Sequence, residues 1–122
     1  MPELKLKQLQ HESATWKWSL GYITEENIHL KNRLSAIRKD KFDKNLLDQI
    51  ESFQNSFLKE DERISLLRND IVEFDKLLGT PETGLTHEIT GKLKKIRNNI
   101  VSTDTQFSNL KIEFNSYLSE NI

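Results

Sequence analysis

The 122-residue chain contains no cysteine, which removes disulfide staples and thiolate chemistry from consideration. No run approaches the ~20 apolar residues that a membrane-spanning helix needs. The segment from Met1 to Leu9 mixes leucine with lysine and glutamate. It lacks the uninterrupted apolar stretch of a signal peptide, so the expected location is cytoplasmic. Glycine is scarce and scattered, at Gly21, Gly79, Gly84 and Gly91, which leaves no glycine-rich phosphate loop. No excess of one charge exists either. A formal net charge of −1 and a pI near 6.3 predict no global attraction to nucleic acid or to an anionic membrane.

Charge of both signs is plentiful, at 30% of residues, while apolar residues make up only 35%. That balance suits an elongated helical rod with a thin core. Disorder is not expected, because the charges nearly cancel and the apolar residues keep a strict period.

That period is a 4-3-4-3 spacing, found in three ladders. The first is Leu9, Ser13, Trp16, Leu20, Ile23, Asn27, Leu30, Leu34 and Ile37. The second is Leu46, Ile50, Phe53, Phe57, Glu60, Ile64, Leu67, Ile71, Phe74 and Leu78. The third is Ile89, Leu93, Ile96, Ile100, Thr103, Phe107, Leu110, Phe114 and Tyr117. On a helix this spacing holds one narrow seam toward its partners, whereas a strand would need period two.

The ladders pause around Arg38–Asp43, where Asp40 or Asp43 can cap a second helix. They pause again at Gly79-Thr80-Pro81. There glycine can close a helix in the left-handed conformation, and proline can open the next. Helices are expected at roughly 3–39, 43–78 and 83–120, each about 50 Å long. Short connections make neighbours antiparallel. The fold class is therefore all-α: an up-down-up three-helix coiled-coil bundle forming one domain over 1–122. The rival arrangement is a long helix pair that dimerises by domain swapping. Gly21 and Gly91 fall inside helices at roughly 1 kcal/mol each relative to alanine.

Each ladder carries one polar residue near its middle: Asn27, Glu60 and Thr103. Counting from the two turns brings them to similar heights, which suggests one central polar layer that would exclude slipped registers. Alternatively, Glu60 curls outward and Thr103 bonds its own helix backbone.

No catalytic constellation emerges. His11, His29 and His87 fall off the seams without a metal-ligand spacing around them. Glu25-Glu26 and Glu60-Asp61-Glu62 fan around the helix axis, so that only Glu60 points inward. A slim rod leaves little concavity for a small-molecule substrate. The expectation is a non-enzyme that needs neither metal nor cofactor. The basic cluster Lys92, Lys94, Lys95 and Arg97 lies at the same end as Lys5 and Lys7. Lys31, Arg33, Arg38, Lys39 and Lys41 lie at the other. These could meet phosphates, but interleaved aromatics are missing and acidic residues on every helix offset them.

Apolar residues outside the seams are more informative. Trp16 and Trp18 are two residues apart and cannot share a face, so Trp18 should point outward. Ala14 lies one turn before it and Tyr22 one turn after. An outward tryptophan beside a tyrosine has the character of a protein-binding hot spot. Leu58, Leu66, Val72, Val101 and Ile112 are also off the seams. A broad buried stripe accounts for Leu47, Leu77 and Leu118, but poorly for Trp18 and Ile112. The reading is an interaction or scaffold module using Ala14, Trp18 and Tyr22, by self-association or with another protein. The alternative is an accessory protein that binds nucleic acid through residues 92–97.

With Trp16, the stretches His29-Leu30-Lys31-Asn32-Arg33-Leu34 and Phe53-Gln54-Asn55-Ser56-Phe57 resemble a group of short uncharacterised bacterial coiled-coil proteins. The resemblance spans most of the chain. It implies no activity and supplies no site residues.

Overall fold

A computed structural model describes residues 3–40, 44–80 and 86–121. They form three α-helices: α1 (Glu3–Asp40), α2 (Lys44–Leu78) and α3 (Thr86–Asn121). No strand occurs among the described residues. The capping assigned to Asp40 or Asp43 and the helix start at Pro81 fall outside what is described.

The helices form an antiparallel bundle in up-down-up order. Trp16 packs edge-on against Phe74, while further along α1 Lys31 meets Asp61 and Arg38 meets Gln54. As α1 rises, α2 falls. Helix α3 runs parallel to α1, since Glu12 pairs with Arg97 and Glu26 with Lys111.

Every ladder position is buried or half-buried, because the heptad keeps these side chains on the seam as the helices supercoil. Leu118, beside the α3 seam, is also buried, and Leu47 and Leu77 are half-buried. Two aromatic groups mark the ends of the core. Phe53, Phe57, Phe114 and Tyr117 interlock near the α1–α2 turn, with Phe53 and Phe114 5.2 Å apart. Trp16 and Phe74, also 5.2 Å apart, occupy the other end. Edge-to-face aromatic pairs of this kind add roughly 0.5–1.5 kcal/mol beyond their burial.

The end of α2 differs from the sequence expectation. No described residue, glycine or otherwise, has positive φ, so Gly79 is not a left-handed cap. Its N–H still bonds Asp75 O in helical fashion at 3.1 Å. The chain then tightens, with Thr80 N bonding Leu77 O at 3.2 Å and the Thr80 hydroxyl donating to Lys76 O at 3.0 Å. These bonds satisfy carbonyls that the helix end would leave open. Thr80 precedes a proline, which disfavours the α conformation for it. No close approach explains the internal glycines: a Cβ built at Gly21 or Gly91 has nothing within 4 Å.

Candidate functional site

The Ala14, Trp18 and Tyr22 strip lies on the outside of α1. All three residues are exposed, Trp18 at 77% and Tyr22 at 55%. Trp16 is 5% exposed. A separation of two residues turns the helix by about 200°, which sends one indole into the core and the other to solvent. Leu58, Leu66, Val72, Val101 and Ile112 are exposed as well.

Charge is unevenly shared among the outward faces. Helix α2 carries Glu51, Lys59, Glu62, Glu73 and Lys76 there. The outward positions of α3 from Asn98 to Ser119 hold only asparagine, serine, threonine, Val101 and Ile112, all exposed. On α1, Glu25 is the single Asp, Glu, Lys or Arg at the outward positions from Gln8 to Ala36, which also hold His11 and His29. These two neutral stretches run side by side at similar heights. Glu12–Arg97 and Glu26–Lys111 bridge the seam between them, and Arg33 and Asp104 lie exposed along it.

The buried polar residues are organised differently from a three-way layer. Asn27, Glu60 and Thr103 are all buried. Phe53 meets Phe114 edge-on, and in that register the α3 residue level with Asn27 and Glu60 is Phe107. Thr103 lies one layer away, beside Ile23 and Ile64. Counting from the turns misplaced it, because the stagger between helices also sets height. Asn27 Nδ2 donates to Asp61 Oδ1 at 2.7 Å and to Phe57 O at 3.1 Å. Lys31 Nζ holds the other Asp61 oxygen at 2.6 Å. Glu60 bends toward its own helix, where Arg63 donates to Oε2 at 2.6 Å. Its Oε1, like Asn27 Oδ1, is buried without a hydrogen-bond partner. Burial pushes the Glu60 carboxyl above its ordinary range, Arg63 opposes the shift, and the neighbouring Asp61 charge adds to it.

Sequence reasoning missed a second clasp of the same design. Ser13, also buried, donates to Asp75 Oδ1 at 2.6 Å, and Lys17 Nζ takes Asp75 Oδ2 at 2.6 Å. Ser13, Lys17 and Asp75 each sit two heptads from Asn27, Lys31 and Asp61. The α1–α3 bridges repeat at the same interval, since Glu12 and Arg97 correspond to Glu26 and Lys111. The signal was present as Glu12-Ser13-x-x-x-Lys17 and Glu26-Asn27-x-x-x-Lys31. Arg97 grips both Glu12 oxygens, at 2.6 and 2.7 Å. That bond lowers the Glu12 carboxyl below its usual range and raises Arg97.

Bridges to α1 and α2 hold three residues of the basic cluster, and Lys94 is exposed. Lys92 meets Glu73 at 3.1 Å, Lys95 meets Asp70 at 3.9 Å, and Arg97 is held by Glu12. At the other end Lys31 is held by Asp61, and Arg38 by Gln54 and Glu51. His11, His29 and His87 are exposed. Among the described residues no group of three or more His, Asp or Glu side chains could hold a metal ion. A shallow α2–α3 groove of about 270 Å³ is lined by Arg63, Leu66, Asp70, Asn99, Thr103 and Gln106, among others, with no histidine in its wall. No helix among the described residues is long and apolar enough to cross a membrane. Comparison of the chain with family models, with curated proteins and with solved structures finds no match.

Proposed function

We propose that this chain is a non-enzymatic interaction or scaffold module that engages protein through outward helix faces, chiefly Ala14, Trp18 and Tyr22. The observation carrying the reading is Trp18, 77% exposed on a well-packed rod whose other tryptophan is buried. Tryptophan and tyrosine are the side chains most enriched among binding hot spots. Exposing them to water gives nothing to the bundle itself. The nucleic-acid alternative draws no support from the geometry, because carboxylates on α1 and α2 already hold Lys92, Lys95 and Arg97.

The test compares wild type with Trp18→Ala and Tyr22→Ala in pull-down and in solution mass. Both variants should keep the helical circular dichroism of wild type, since neither side chain is in the core. At least one should lose a partner or an association state. If both retain every partner and the same mass, the reading fails.

A further inference from the structure

The neutral band described above is broader than the aromatic strip, and its chemistry points to a particular occupant. Outward helix positions of a rod in water are ordinarily charged. Here the positions of α3 that face directly away from the core are Asn, Ser and Thr from Asn98 to Ser119, broken only by Val101 and Ile112, with exposed Asp104, Gln106 and Glu113 at their flanks. Asparagine, serine and threonine are poor helix formers, so local helix stability does not account for their concentration. Depletion of charge at the centre of a patch, with aromatics enriched, is the compositional mark of a protein interface. The bridges Glu12–Arg97 and Glu26–Lys111 cancel their own charges within the seam.

We propose that the α1–α3 face, reaching from Trp18 and Tyr22 to Val101 and Ile112, packs against the same face of a second copy of this chain. The inference rests on the interaction-module reading and names its partner. Two features favour a second copy. The charges on this face are few and of both signs, Arg33 opposite in sign to Glu25 and Asp104, so it offers no strong complement to a charged partner and meets its own image with little repulsion. The band is roughly 33 Å long and about two helices wide, or roughly 700 Å² per copy. That is close to the ~800 Å² per partner of a standard stable interface.

Sedimentation equilibrium or light scattering over a wide concentration range tests this. Wild type should approach twice the 14.3 kDa chain mass as concentration rises, with little dependence on salt. Thr105→Glu and Ile112→Glu, both exposed and outside the aromatic strip, should keep wild-type helicity and run at the mass of one chain. Lys59→Glu, on the outward face of α2, should leave the dimer intact. A wild-type chain that stays monomeric at every concentration overturns the proposal, as does a dimer that survives both α3 substitutions. If the chain is monomeric but Trp18→Ala still loses a different protein, the interaction module stands and the second copy is excluded.

Discussion

Two layers of the bundle, two heptads apart, share one clasp and differ in what it encloses. At one, Ser13 and Lys17 bind Asp75, and the core position on α2 is Phe74. At the other, Asn27 and Lys31 bind Asp61, and the corresponding α2 position is Glu60. The α1–α2 bonds are alike in both. The clasp therefore closes equally well over a phenyl ring or over a carboxylate, and it does not require Glu60. Only the Glu60 layer leaves polar atoms without partners, Glu60 Oε1 and Asn27 Oδ1. Burying an unpaired polar atom costs about 1–3 kcal/mol. A residue tolerated at that expense fits a role in register, since a slipped pairing would set Glu60 against hydrocarbon.

Breaking each clasp at its aspartate should have the largest effect and should separate the layers. Asp61→Ala removes one of the two acceptors of a fully buried amide and the partner of Lys31, while Phe57 O remains, and the loss should be about 2 kcal/mol. Asp75→Ala should lose only about 1 kcal/mol, because the Ser13 hydroxyl can turn to a carbonyl of its own helix. Urea unfolding of the two variants reads the difference directly, and equal losses would remove the distinction drawn here.

Converting one layer toward the other comes next. Glu60→Leu removes the desolvated carboxylate and should raise stability by about 1–3 kcal/mol. Combined with Asn27→Leu, it should raise the melting temperature further and admit additional association states, visible as mass heterogeneity. A destabilised double variant would show that the polar pair contributes more than register.

The pH dependence should have opposite signs at two glutamates. The Glu60 pKa is raised in the fold, so the folded state holds this proton more tightly than the unfolded chain does. Stability from the protonated group is complete below the ordinary value of 4.5 and is lost as pH climbs through the raised one. Relative to Glu60→Gln, wild type should weaken across that window. The Glu12 pKa is lowered, chiefly by Arg97. Its contribution is present above 4.5 and disappears as pH falls through the lowered value. Thermal melts of Glu60→Gln and Glu12→Gln across acidic pH should diverge from wild type in opposite directions.

The smallest effects concern glycine. Gly91→Ala, in open space, should gain about 0.5–1 kcal/mol. Gly79→Ala would meet only ordinary contacts at 3.7 Å on a backbone without positive φ. It should gain about 0.5 kcal/mol. A loss on Gly79→Ala would restore the left-handed cap that the sequence suggested.

What the sequence disclosed follows from periodicity. The seam of each helix, the inward Trp16 and outward Trp18, and the burial of Asn27, Glu60 and Thr103 all depend on angular position around one helix. A heptad states that directly. The level of Thr103 does not follow in this way, because it depends on the stagger between two helices. Nor do the pairings that hold Lys92, Lys95 and Arg97, which require knowing what lies across each groove. Gly79 misled for a local reason: Gly-Thr-Pro fits a left-handed cap and a tightened last turn equally well, and the Thr80 hydroxyl decides between them.

The two indoles also make the chain its own optical instrument. Trp16, shielded and touching Phe74, should emit at short wavelength and redden only when the bundle opens. Trp18, facing water, should already emit at long wavelength and turn blue when something covers it. Trp16→Phe and Trp18→Phe variants would thus give separate fluorescence readings, one of unfolding and one of occupancy, from a protein that carries no added dye.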